Sequence, residues 1–207
     1  MNLKALASHT IDLDLLPESP TVLDVGCRNW DFANAVLAER PKGRVIALDP
    51  ARDVYDAWKQ SRQDGRIRYW PYGLVGKGDE GTRQFAHFST GEADMILMPG
   101  QLVAADWEVY PVACVSIESL MVHWEIRHWD AVKLDCEGAE AAILEMWPGP
   151  IATQISVEFH DWDKPATRSE SYYELLWKLL PWYRVVQHEL SRQGEGVGHW
   201  DSLLVRA

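Results

Sequence analysis

Short apolar runs rich in Val and Ile alternate with segments of helical period along nearly the whole chain. "TVLDVGC" (21–27) and "RVIALDP" (44–50) read as buried parallel strands. Between them, "WDFANAVLAER" sets Phe32, Ala33, Val36 and Leu37 on one helical face, so the three segments predict a βαβ unit. A second helix is expected over "ARDVYDAWKQSR", with Val54, Tyr55 and Trp58 inward, before "RIRYWPYGLVG" returns to extended structure.

From Lys77 to Pro111 the chain turns polar and Gly-containing, with one alternating stretch, "TRQFAHFS", that predicts a hairpin strand. Residues 77–111 therefore read as an insertion beside a ligand site, the usual role of long connections in a compact domain. "ACVSIESLMVHW" supplies a short strand and helix, "WDAVKLDCEG" a buried strand, and "AEAAILEMW" a helix stopped by Pro148. "ATQISVEFHD" is the next strand and "SESYYELLWKLL" an amphipathic helix with Ser169 or Ser171 as its cap. "WYRVVQHEL" and "WDSLLVRA" close the chain as two strands on a short Gly-rich link, which makes them antiparallel. The sum is a doubly wound α/β domain: a mostly parallel, seven-stranded Rossmann-like sheet with a terminal antiparallel hairpin, covering residues 1–207 as one domain. In such sheets ligands sit beyond the carboxyl ends of the strands.

Composition narrows the classes. The 207 residues, 47% hydrophobic and 25% charged, suit one globular core. Cys27, Cys114 and Cys136 are odd in number and lack zinc-type spacing, so the sequence predicts neither a disulfide framework nor structural zinc, and a reducing cytoplasm fits. The N-terminus has no basic segment followed by an apolar one, and no stretch reaches the roughly 18 apolar residues of a membrane span. A net charge of -11 opposes approach to polyphosphate, so the sequence predicts neither nucleic acid nor membrane as partner and leaves the oligomeric state open.

The strand ends carry the candidate chemistry. Gly26 and Cys27 stand at the first turn, and Asp49 ends the second strand, where an acid accepts hydrogen bonds from ribose hydroxyls. A dinucleotide would want further glycines, but Arg28, Asn29 and Trp30 stand in their places, which disfavours an NAD-linked oxidoreductase. An adenosine ligand without pyrophosphate fits, of which S-adenosylmethionine is the common one. Asp24, just before the turn, either holds the ligand's ammonium end or orders the loop. Asp135 ends a neighbouring strand, and Glu137 and Glu140 follow where a helix dipole partly compensates negative charge. Glu158 and His160 share a side of the next strand by the period of two. Asp24, Gly26, Cys27, Asp49 and Asp135 are thus the candidate cofactor contacts. His160, as general base, with Asp135, Glu137 and Glu158, makes up the candidate catalytic set. A divalent Mg²⁺ or Mn²⁺ on Asp135, Glu158 or His160 is chemically sensible but not favoured.

"TVLDVGCRNWDF", "VIALDP", "VKLDCEGAEAAIL" and "ISVEFHD" together resemble the FkbM family of S-adenosylmethionine-dependent methyltransferases over roughly residues 20–206. The resemblance implies O-methylation of hydroxyls on sugars, polyketides and other small molecules, and the acids at the strand ends, with Trp107, Trp124, Trp129 and Trp162, favour a saccharide or glycosylated acceptor. It also implies that Asp24 and Gly26 form the first cofactor loop, that Asp49 is the ribose acid, and that Asp135 and Glu137 lie on the substrate side. The first motif departs from the family pattern at Arg28 and Trp30. Trp30 either swings outward or fills the space of the cofactor's methionine end, and the second outcome would make the chain a non-catalytic binding or assembly module.

Overall fold

The computed structural model describes residues 1–61, 64–88, 94–97, 100–160, 168–191 and 199–207. The chain opens with a hairpin of β1 (Leu3–Leu6) and β2 (His9–Asp12). There follow β3 (Thr21–Val25), α1 (Asp31–Glu39), β4 (Arg44–Leu48), α2 (Arg52–Gln60), β5 (Ile67–Trp70), β6 (Gly73–Leu74), β7 (Gly81–His87), β8 (Met95–Ile96) and β9 (Glu108–Val115). The remainder is α3 (Ile117–His123), β10 (Ala131–Leu134), α4 (Glu140–Glu145), β11 (Gln154–Phe159), α5 (Arg168–Leu179), β12 (Tyr183–Ser191) and β13 (His199–Arg206).

Seven strands form the main sheet in the order β12-β13-β11-β10-β3-β4-β5. The run from β11 to β5 is parallel, whereas β13 lies antiparallel to both β11 and β12. Alternation along the strands splits the core between the two faces. Leu23, Val25, Val132 and Leu134 point toward α3, α4 and α5, while Val22, Val45 and Ala131 point toward α1, α2 and the N-terminal hairpin. Helix α1 buries the four residues its periodicity predicts, Phe32, Ala33, Val36 and Leu37. In α2, Val54 is buried and Trp58 packs against the core, but Tyr55 is exposed, with the Lys59 ammonium 4.3 Å above its ring. Val54 and Trp58, four residues apart, share a stripe that Tyr55 misses by a third of a turn.

The polar segment after β6 builds structure of its own. Strand β7 lies between β8 and β9, both antiparallel to it, and β9 pairs with β6, giving a second, four-stranded sheet. This sheet stands beside the carboxyl ends of β3, β4 and β10 and supplies the outer wall of the cavity described below. The helix over residues 169–180 begins at Arg168, ahead of both serines expected to cap it. Among the described residues, no helix is long and apolar enough to cross a membrane.

Candidate active site

The loop after β3 bends sharply over β4. The N–H groups of Gly26 and Cys27 both donate to the Leu48 carbonyl, at 2.9 and 3.1 Å. Gly26 has φ +71°, and a Cβ there would collide with the carbonyl oxygen of Asp135. The glycine therefore serves backbone-to-backbone packing of the first loop on the end of β10. Asp49 fixes the same loop from below, its carboxylate accepting from the N–H groups of Arg28 and Ala51, each at 3.0 Å. Burial pushes its proton affinity up to about 6, in spite of those two donors. Two of the four lone-pair positions of the carboxylate are thus used, leaving two for a ligand.

Trp30 swings away from the site. It caps α1 in the left-handed conformation, φ 62° and ψ 20°, and packs against Trp58 and Tyr69 with ring centroids 5.7 and 6.3 Å apart. Arg28 turns the other way. Its guanidinium meets Asp53 at 3.2 Å and Asp94 at 3.3 Å, joining the first loop to the residue just before β8.

At the ends of β10 and β11 the charges interlock. Lys133, buried in β10, places its Nζ 2.6 Å from the Gly26 carbonyl oxygen, 3.3 Å from Asp135 and 3.5 Å from Asp24. Burial opposes its charge, but Asp135 and Asp24 outweigh it and hold the ammonium protonated. Asp135 in turn is half-buried, which raises its proton affinity, yet Lys133 and His9 keep it below the ordinary carboxylate range. His9 arrives from the first position of β2 with its Nε2 3.3 Å from Asp135 Oδ2. Glu140 clamps the turn, accepting from the N–H groups of Cys136 at 2.7 Å and Gly138 at 3.0 Å. It is an end-of-helix ligand for its own loop and faces away from any substrate.

His160 sits behind this turn. Its Nε2 lies 3.2 Å from Glu158 and 3.5 Å from Glu137, and its Nδ1 lies 3.4 Å from Glu140. Burial works against its charge, but the hydrogen bonds to Glu140 and Glu158 prevail and push its pKa up to about 11. The same carboxylate contacts favour the charged form of the ring over the neutral form that a general base requires. Glu137 shows the opposite balance. Burial raises it, the His160 charge only partly offsets this, Asp135 and the other acids add to it, and its pKa reaches about 8.

These groups surround a cavity of about 430 Å³. Its inner wall is Val25, Gly26, Arg28, Asp49, Asp135 and Glu137, and Phe85, Asp94 and Ile96 of the smaller sheet face them across it. Pro50 and Tyr72 line the end next to Asp49. No protein-family model matches the sequence, and no curated protein matches it either. Solved structures do match. The fibrillarin pre-rRNA processing protein of Methanococcus jannaschii superposes with a TM-score of 0.54 at 12% identity, over 99% of this chain and 70% of that one. The methyltransferase FkbM from Methylobacillus flagellatus KT superposes with a TM-score of 0.52 at 15% identity, over 94% of this chain. The fold is that of the FkbM-like methyltransferases. The chain spans 46% of the length of that FkbM structure. P. horikoshii TYW2, solved in complex with MeSAdo, also matches, with a TM-score of 0.51 at 8% identity over 92% of this chain and 58% of that one.

Within this FkbM-like fold, four of the residues singled out in the sequence line the cavity: Gly26, Asp49, Asp135 and Glu137. Asp24 is fully buried beneath the loop, with its carboxylate 3.5 Å from the Lys133 ammonium. Cys27 is buried, and burial pushes its thiol well above the ordinary range, so it contributes a neutral side chain and a backbone N–H. Glu158 and His160 stand behind Asp135 and Glu137. His9, Arg28 as a bridge to Asp94, and the walls from Tyr72, Phe85 and Ile96 escaped the sequence reading.

Proposed function

We propose that the chain is an S-adenosylmethionine-dependent methyltransferase that acts on a hydroxyl of a small molecule, such as a saccharide or glycosylated metabolite. The observation that carries this reading is the cavity itself, which runs from Asp49, with two carboxylate lone pairs to spare, to Asp135 and Glu137 at the neighbouring strand end. Its volume suits one adenosine-sized ligand with room beyond it. When bound, S-adenosylmethionine supplies an electrophilic methyl group on a sulfonium. Asp49 would accept from the ribose hydroxyls, Pro50 and Tyr72 would flank the base, and Asp135 would face the positive end.

Glu137 takes over the role of base that the sequence had given to His160. A carboxylate whose proton affinity lies near neutrality is well suited to accept a hydroxyl proton as the oxygen attacks. In that step the oxygen–carbon bond forms, the carbon–sulfur bond breaks, and the proton passes to Glu137. His160, itself paired with Glu158, faces Glu137 at 3.5 Å and holds it in place. Four carboxylates, those of Asp49, Asp94, Asp135 and Glu137, line the cavity against one guanidinium. Such a mouth repels polyphosphate and accepts hydrogen bonds from hydroxyls, which favours a small acceptor over RNA despite the fibrillarin likeness. Trp30, packed against Trp58 and Tyr69 and absent from the cavity lining, supports the catalytic reading over a non-catalytic module.

Calorimetric titration with S-adenosylmethionine and its demethylated product tests the cofactor. Micromolar binding that weakens at least tenfold in Asp49→Ala is expected, and absence of binding by the unmodified chain overturns the reading.

A further inference from the structure

We infer that His9, Asp135 and Glu158 form a site for one divalent first-row cation of the Mn²⁺ type at the edge of the cavity. One donor atom from each of these residues lies within 4.8 Å of the others. An ion with bonds of about 2.1 Å separates its ligands by about 3 to 4 Å, so only a small contraction is needed. The donors come from three separate elements: the start of β2, the residue after β10, and β11.

His9 decides the matter. It is 5% exposed and stands edge-on to Phe32, with centroids 5.8 Å apart, which fixes its ring and turns Nε2 toward Asp135 at 3.3 Å. The hairpin thus brings an imidazole to two strand-end carboxylates across a separation of 126 residues from Asp135, a spacing no ligand motif would reveal. Glu158 is held from behind by His160 at 3.2 Å, the kind of outer hydrogen bond that orients a ligand. The neighbouring Lys133 ammonium is shared with buried Asp24, so its charge does not fall on Asp135 alone. Asp135 and Glu158 stay 24% and 15% exposed, which leaves an entry path and open coordination positions.

Carboxylates suit Mg²⁺ and Mn²⁺ while imidazole suits the later transition metals, and the mixed set points to Mn²⁺. A hydroxyl on such an ion would lie beside Glu137 with its acidity raised. A second group, Asp53, His87 and Asp94, has similar spacing. There, however, the Arg28 guanidinium bridges two of the three members, Asp53 and Asp94, whereas Lys133 meets only Asp135 of the first group.

The test is a titration of chelator-treated protein with Mn²⁺, read by the paramagnetic resonance of the free ion, with no cofactor present. One saturable site per chain is expected, lost in His9→Ala and in Glu158→Gln, and unchanged in Asp94→Asn. His160→Ala should weaken it roughly 10- to 100-fold by freeing Glu158. Circular dichroism checks folding, and His9→Gln replaces His9→Ala should the latter unfold. No saturable binding at millimolar Mn²⁺, binding that survives both the His9 and Glu158 changes, or binding lost in Asp94→Asn overturns the site. Failure here leaves cofactor binding untouched, and failure of cofactor binding leaves the ion site untouched.

Discussion

Lys133 donates to the carbonyl oxygen of Gly26 at 2.6 Å, so the lysine of one strand holds the first loop of another. The same ammonium faces Asp24, with which it is buried, and Asp135, which lines the cavity. Lys133→Met leaves the fully buried Asp24 without its cation, while Asp135 keeps His9. Breaking a buried ion pair in this way costs about 3–5 kcal/mol, which urea unfolding should show as a lowered midpoint at unchanged slope.

Gly26→Ala should be costly for a different reason. The added methyl has no room beside the Asp135 carbonyl, and the positive φ is itself unfavourable. A loss of roughly 1–3 kcal/mol is expected from backbone strain, seen as a lower melting temperature, together with weakened cofactor binding as the loop lifts off β10.

Trp30→Gly separates packing from ligand binding. Glycine accepts the left-handed conformation found here, but the contacts with Trp58 and Tyr69 are lost. Calorimetry should give an S-adenosylmethionine affinity within about twofold of the unmodified chain, while the melting temperature falls. A marked gain in affinity would show that the indole does reach into the cavity.

Under the proposed function, Glu137 should set the pH dependence of turnover, measured with a chelator present. A base must be deprotonated to act, so the rate should rise with pH through a midpoint near 8. Glu137→Gln should flatten the profile and lower kcat by roughly 10²- to 10⁴-fold. His160→Gln should move the midpoint upward, because the imidazolium charge lowers the affinity of Glu137 for its proton.

His160 also links stability to pH. Its pKa rises from about 6.5 unfolded to about 11 folded. The stability it contributes is therefore full below the unfolded value and is lost as pH climbs toward the folded one. Glu137, raised to about 8, binds its proton more tightly when folded and acts in the same direction at lower pH. The melting temperature of chelated protein should fall steadily from pH 6 to pH 10, and His160→Gln should flatten the upper part of that decline.

Much of this architecture was legible because buried parallel strands write themselves as apolar runs. Asp49, Asp135 and Glu137 were found for the same reason, as acids placed where such runs stop. His9 was not, because the hairpin that delivers it has no such run and its partner lies 126 residues away. The pairing of Glu158 with His160 was readable from strand period, but not the convergence of Glu137 and Glu140 on the same ring, which favours its charged form. Arg28 and Trp30 depart from the family pattern side by side. Their opposite directions, one toward Asp94 and one toward Trp58, depend on backbone conformation that residue types do not specify.

The two walls of the cavity belong to different sheets: the reactive acids to the seven-stranded one, Phe85 and Ile96 to the four-stranded one. For redesign this divides the problem in two. Exchanging the smaller sheet's side chains would reshape the chamber for a new acceptor while the proton-handling groups keep their own foundation.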